Sequence, residues 1–394
     1  MSDYLKHYAG TITVLGPVHI GAGQAFKKNE YIYETDDNSI SIVDIGKVYQ
    51  FFIDNNKAED FEKYFSDFSP SSLPLKDWLA SRGVNRNNYS KLIKYKMSAG
   101  DSIVSVEKGK KKYSDVLAFV KDPYGLPYIP GSSIKGFLRT ALTVYEISKK
   151  TPSEQSQLLE PILKTFEEYD DLSDKEQQFF RKKKSKSFLK KEASDIETEI
   201  FNTLKKDKSK KSNAVNCNLS GLIIGDSRPI PLDALTVCKK YDVRTDKTEN
   251  VLPIFKECLK PNTKVEFDLT IESVCPYSIG DIEQAIRTLN AFVAKRFMRH
   301  FDLKYSITDT VNIGWLGSCG FSSKNIVHSF YKDSDENIAL DLIDGIFDVT
   351  LDKNYEVHKH GWDCTKYVVA PHMRKQTVVN GMRYDFGKVR LDFK

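Results

Sequence analysis

Lys135 and Arg139 lie one helical turn apart, directly after Pro130-Gly131-Ser132-Ser133, and this grouping is suited to holding an anion without covalent chemistry. Pro130 keeps the residue before it extended, Gly131 permits a tight turn, and Ser132 or Ser133 can cap a helix that starts near Ser132. Free backbone N–H groups and the positive end of the helix dipole would then lie beside the two cations, and Gly136 would let a phosphate chain come close. Two other segments offer backbone donors of the same kind. Gly21 and Gly23 follow His19 in Val18-His-Ile-Gly-Ala-Gly23, while Gly317 and Gly320 lie in a loop from Gly314 that exits at Lys324. The chain has no Gly-x-x-x-x-Gly-Lys-Ser/Thr motif, so nucleoside triphosphate hydrolysis is not indicated.

Fewer residues are suited to bond-breaking chemistry. A neutral imidazole at His19 could take a proton from a hydroxyl, and Asp44 or Asp226 could serve a metal-dependent nuclease. No base partner for His19 is evident, and Asp-Ser at a strand end is ordinary turn chemistry, so His19 reads as a packing or contact residue. His358, His360, Cys364 and His372 are zinc-type donors, but their spacing matches no common finger, and neither metal nor cofactor is expected. The six cysteines contain no Cys-x-x-Cys pair and suggest reduced thiols.

These residues need a scaffold, and 394 residues with 40% hydrophobic and 29% charged content suffice for two or three domains. No stretch approaches the roughly 18 apolar residues of a membrane span, so a cytoplasmic protein is expected. Net charge is only +5, but cations cluster at Lys108 to Lys112, at Arg181 to Lys191 and at Lys205 to Lys211. Together with the Lys135–Arg139 pair, these runs favour a polyanionic partner. Alternation predicts strands over 8–15 and 264–273, a short apolar run predicts one over 219–224, and helical spacing predicts two short helices within 48–68. Asp281 should open a helix with Ile282, Ile286, Leu289, Val293 and Phe297 on its apolar face, and Asn380-Gly381 is a type I′ hairpin turn. The pattern is α+β, with a unit over 1–149 carrying a helical insert near 46–96, a lysine-rich helical insertion over 150–214 ending in a floppy tail, and a second unit over 215–394.

At Leu15-Gly-Pro-Val-His-Ile-Gly-Ala-Gly23, Tyr128-Ile-Pro-Gly-Ser-Ser-Ile-Lys-Gly-Phe-Leu-Arg139 and Gly314 to Lys324, the chain resembles the RAMP proteins of CRISPR systems. Tyr241-Asp-Val-Arg, the stretch Leu252 to Phe267 and a final Gly387-Lys-Val-Arg-Leu strand extend the likeness over most of the chain, and fit the type III-A, or Csm, members. The lysine-rich insertion has no counterpart in that pattern, and Trp315, Ser318 and Cys319 stand where the family is richer in glycine. The resemblance implies two ferredoxin-like or RRM-like domains and a non-catalytic CRISPR RNA-binding subunit of the effector complex. It would hold the guide RNA backbone near the 3′ end, cap the backbone-subunit filament, and take part in guide RNA maturation and antiviral defence. Implied RNA-binding residues are His19, Gly21, Gly23, Ser132, Ser133, Lys135, Gly136, Arg139, Gly317, Gly320 and Lys324. Implied partners are CRISPR RNA, the backbone and small Csm subunits, and trimming nucleases. The alternative is an endoribonuclease that processes guide precursor through His19 or a carboxylate.

Overall fold

The computed structural model describes residues 4–67, 69, 71–100, 104–107, 110–184, 189–305, 310–320, 323, 325–331, 337–351 and 360–394. Lys108, Lys186, Lys324 and His358 lie outside the described residues.

Long-range pairing organises the chain. A five-stranded sheet runs in the order β13 (Ile313–Trp315), β16 (Lys388–Phe393), β1 (Leu5–Val14), β12 (Lys264–Glu272) and β9 (Leu222–Ile224), all neighbours antiparallel. The apolar alternation of β1 decides its register, setting Ile12 opposite both Val265 and Leu391, all fully or nearly fully buried. Two helices cover this sheet, Gly131–Lys149 and Ile279–Val293, and pack against each other. Ile134, Leu138, Ala141 and Leu142 of the first, and Ile282, Ile286, Leu289 and Val293 of the second, are in the main core as their helical spacing requires. The second helix begins at Ile279, two residues before the expected Asp281. Ser278 is its N-cap, and Asp281 closes a capping box back onto Ser278.

The nine-stranded sheet follows the path β2 (Gly21–Phe26), β8 (Val116–Phe119), β11 (Glu249–Leu259), β10 (Leu235–Arg244), β5 (Ile93–Ala99), β4 (Ser39–Val43) and β3 (Tyr31–Glu34). Strand β14 (Met373–Val379) joins β10 beyond the point where β5 leaves it, and β15 (Met382–Asp385) pairs with β14. The β14–β15 turn is the expected hairpin, with Asn380 at φ 50° and Gly381 at φ 75°. Strands β6 (Val104–Glu107) and β7 (Lys110–Tyr113) form a separate hairpin. Both large sheets draw strands from residues 1–149 and 215–394, so the two units share their sheets.

Helices Ile45–Asp54, Ala58–Phe65 and Leu75–Ser81 enclose a local aromatic core, where Tyr64 stacks on Trp78 at 4.3 Å and Phe52 on Phe61 at 5.6 Å. The insertion forms helices Pro152–Asp170, Asp174–Lys184 and Lys190–Phe201, which pack with Asn337–Thr350 in a second core. The lysine-rich end expected to be a floppy tail is instead a stapled loop. Buried Asn216 donates to the carbonyls of Asp207 and Lys210 and accepts from Asp207 N–H, while Asn213 donates to the Asp207 carboxylate. Short polar side chains thus satisfy a backbone that no sheet or helix serves.

Candidate nucleic-acid interface

The helix carrying Lys135 and Arg139 starts at Gly131, with Pro130 as its N-cap and no side-chain cap from Ser132 or Ser133. Gly131 N–H donates to Asp226 Oδ1 at 2.8 Å, and Ser133 N–H goes to the Pro130 carbonyl at 2.9 Å. The anion at this helix start is therefore an internal carboxylate. Asp226 belongs to a ladder in which Ser227 N–H donates to Ile129, Ile129 N–H to Ser227 Oγ, and Ile230 N–H to Pro127. That pairing explains why the residue considered as a nuclease carboxylate is a cap.

The two cations are also engaged within the chain. Lys135 Nζ donates to the carbonyls of Leu219 (2.9 Å) and Leu222 (2.7 Å), and burial pushes its ammonium below the ordinary lysine range. Arg139 Nε reaches Glu197 at 2.6 Å, and its guanidinium lies 5.4 Å from the Phe201 ring centroid. Both side chains tie the central helix to its neighbours, which sequence spacing could not reveal. Ser132 and Gly136, by contrast, are exposed, and a Cβ at Gly136 would meet nothing within 4 Å.

Strand β2, carrying Gly21 and Gly23, is the outermost strand of its sheet. It pairs with β8, with a register shift between Gly21 and Ala25, and residues 21–24 are exposed. Its other edge has no strand partner among the described residues, leaving a row of backbone donors and acceptors open. Gly23 sits at φ 75°.

His19, just before this edge, is only 3% exposed. Its Nδ1–H donates to the Glu257 carbonyl at 2.7 Å, its ring meets Phe119 edge-on, and burial lowers its pKa to about 4. The ring is neutral and internal at pH 7 and does not face solvent as an RNA-contacting side chain would. Below it the fully buried Glu257 carboxylate accepts from Tyr95 Oη (2.6 Å), Phe119 N–H (2.8 Å) and Lys121 Nζ (2.5 Å). Sequence reading missed this network, because a single glutamate in an alternating strand looks like a solvent-facing position.

The distal glycine loop meets the first one. Gly317, at φ 65°, lies so close to His19 that a Cβ would stand 2.0 Å from its carbonyl oxygen, and Ser318 N–H donates to that oxygen at 3.0 Å. Gly320, at φ 100°, stands beside Lys375. Trp315, one of the residues standing where the family is richer in glycine, is fully buried core. Asp44 caps helix Ile45–Asp54 by accepting from Lys47 N–H at 3.2 Å. The surface cations are elsewhere: Lys182, Lys183, Lys190, Lys191, Lys205, Lys206, Lys208, Lys210 and Lys211 are exposed on the insertion.

An antiparallel sheet under two helices, a mixed sheet with an open strand edge and two joined glycine loops make up this chain, and it belongs to the RAMP superfamily, whose model matches residues 11–323. It is similar to the CRISPR system protein Csm5 of Mycobacterium tuberculosis, 24% identical over 418 residues that span 100% of this chain and 99% of that protein. Csm5 of Streptococcus thermophilus is 25% identical over 288 residues, 68% of this chain and 65% of that one. The fold also matches a chain of the cryo-EM structure of a Csm–crRNA–target RNA ternary complex of a type III-A CRISPR-Cas system, with TM-score 0.62 and 16% identity over 98% of this chain and 100% of the other. The crystal structure of T. onnurineus Csm5 matches with TM-score 0.57 and 16% identity, covering 96% and 99%. The α+β class and the RAMP resemblance read from the motifs are thereby borne out. Among the described residues no helix is long and apolar enough to cross a membrane.

Proposed function

We propose that this chain is a Csm5-type subunit of a type III-A effector, a non-catalytic protein that binds CRISPR RNA through its backbone near the 3′ end and caps the filament of backbone subunits. The observation that carries this reading is the joined pair of glycine loops beside the open edge of β2. Backbone amides on a rigid edge recognise phosphate and ribose without reading bases, leaving sequence to guide pairing. In this reading Gly21, Gly23, Ser132, Ser133, Gly136 and Gly320 approach the RNA. His19, Lys135, Arg139 and Gly317 position those contacts, and the insertion lysines add long-range attraction.

The placement of the candidate catalytic groups supports a binding role. His19 is internal, Asp226 caps the central helix and Asp44 caps another, so each is occupied in a structural task. The test is titration of guide RNA with purified protein over a range of salt. Affinity should be independent of sequence and fall steeply with salt. It should drop at least tenfold in a Gly23→Glu, Gly136→Glu double variant. Repeat-containing RNA incubated with the same protein should stay intact; cleavage that survives purification and is lost in His19→Ala would establish the endoribonuclease instead. Unchanged affinity in the double variant would remove the strand edge and helix face from the interface.

A further inference from the structure

The buried carboxylate of Asp363 is met by two imidazoles. His360 Nδ1 stands 3.0 Å from Asp363 Oδ2, and His372 Nδ1 contacts Oδ1. Asp363 and His372 are fully buried and His360 is 6% exposed. One ligand atom from each of the three lies within 4.8 Å of the others. Among the described residues no lysine or arginine pairs with Asp363, and its two side-chain partners there are the imidazoles of His360 and His372.

We propose that His360, Asp363 and His372 form a binding site for a single divalent transition-metal ion of the zinc class. Two imidazole nitrogens and one carboxylate oxygen are the donors of such ions, whereas magnesium and calcium take oxygen sets. The rings are held in place by packing. His372 stacks on Tyr367 at 4.5 Å with an interplanar angle of 12°, and His360 lies 4.5 Å from Phe347. Among the described residues, His372 Nε2 and Tyr367 Oη are buried without a hydrogen-bond partner, which leaves an imidazole nitrogen of the cluster available to a ligand. A cavity of about 550 Å³, lined by His360, Pro371, Met373, Trp315 and Phe386 among others, reaches the cluster at His360.

The site would bind the turn His360–Tyr367 to the start of β14, and so to the nine-stranded sheet. It also differs from the donor set suggested by sequence spacing. Cys364 is the obvious thiolate, but its Sγ is not among the ligand atoms that lie within 4.8 Å of one another. Asp363, one residue earlier, takes its place.

The experiment uses the full chain, stripped with chelator and then dialysed against zinc or cobalt. Metal analysis should find about one ion per chain, cobalt should give the visible absorption of a low-coordinate nitrogen and oxygen site, and zinc at about 100-fold over its Kd should raise Tm by roughly 3 °C. Asp363→Asn and His372→Gln should each weaken zinc binding by more than about 100-fold, beyond the effect of losing an outer partner. His7→Ala, at an exposed histidine on the other sheet, should bind as the wild type does. A wild-type protein that retains no ion and whose Tm is indifferent to zinc and chelator would overturn the site, leaving a hydrogen-bonded core cluster. Full binding in both ligand variants would overturn it equally. Wild-type metal content and the cobalt spectrum keep the test decisive even where a variant fails to fold.

Discussion

Ser318 donates its backbone N–H to the carbonyl of His19 at 3.0 Å, and this bond clasps the distal glycine loop to the first one. It brings residues from opposite ends of the chain to the open edge of β2, where neither loop would be held by its own short sequence. Glu257 underlies the clasp, since its carbonyl takes the His19 ring and its carboxylate takes Lys121 and Tyr95.

Gly317→Ala should break the clasp. A side chain at φ 65° costs about 1–2 kcal/mol, and a Cβ placed 2.0 Å from His19 O must displace backbone, so a loss of about 2–4 kcal/mol is expected from urea unfolding. Gly23→Ala, with φ 75° but nothing within 4 Å, should lose only about 1–2 kcal/mol. Equal losses for the two would mean that the loop contact adds nothing.

Gly136→Ala separates binding from stability. The added methyl meets open space in a helix interior, so unfolding should become about 0.5–1 kcal/mol harder. RNA affinity should nevertheless fall, because the methyl occupies the approach to the helix face. A stabilised variant with unchanged affinity would show that RNA does not approach there.

Lys135→Ala should cost stability more than it costs salt dependence. Loss of two hydrogen bonds from an ammonium to the carbonyls of Leu219 and Leu222 is expected to destabilise by about 1.5–3 kcal/mol. The slope of log affinity against log salt should stay as in wild type, because the ammonium is directed at these two carbonyls. For Arg139 and Glu197, both partly exposed, a double-mutant cycle should return a coupling of about 1 kcal/mol or less.

Acid should weaken the fold through its buried histidines. His19 has a native pKa of about 4 against 6.5 in the unfolded chain, so the unfolded state binds the proton first as pH falls. Its contribution is complete above about pH 6.5 and is lost progressively down to about pH 4, up to about 3 kcal/mol. His328, lowered to about 3 by burial, acts in the same direction. Urea midpoints of wild type and His19→Gln should therefore converge as pH drops from 7 to 4.5; parallel curves would mean that His19 is not buried as a neutral ring.

Local signals in the sequence carried a good part of the architecture. Period-two alternation placed β1 and β12, the 3.6-residue spacing of Ile282, Ile286, Leu289 and Val293 placed the second covering helix, and Asn380-Gly381 placed its hairpin. The glycine-bearing segments and the Tyr128–Arg139 motif were legible for the same reason. Turn chemistry and helix starts depend on neighbours in the chain, so spacing and residue type suffice to find them.

What the sequence by itself determined, then, is a set of elements, their apolar faces and three segments rich in backbone donors. Only the tertiary structure decided which partner each polar group meets. Asp226 took the helix start that was expected to welcome an external anion, the Leu219 and Leu222 carbonyls and Glu197 took the two cations, and Asp363 displaced Cys364 among the histidines. The physical reason is common to these cases: a buried or half-buried polar group must find a partner, and the partner is supplied by chain folding back from far away, where sequence spacing carries no information.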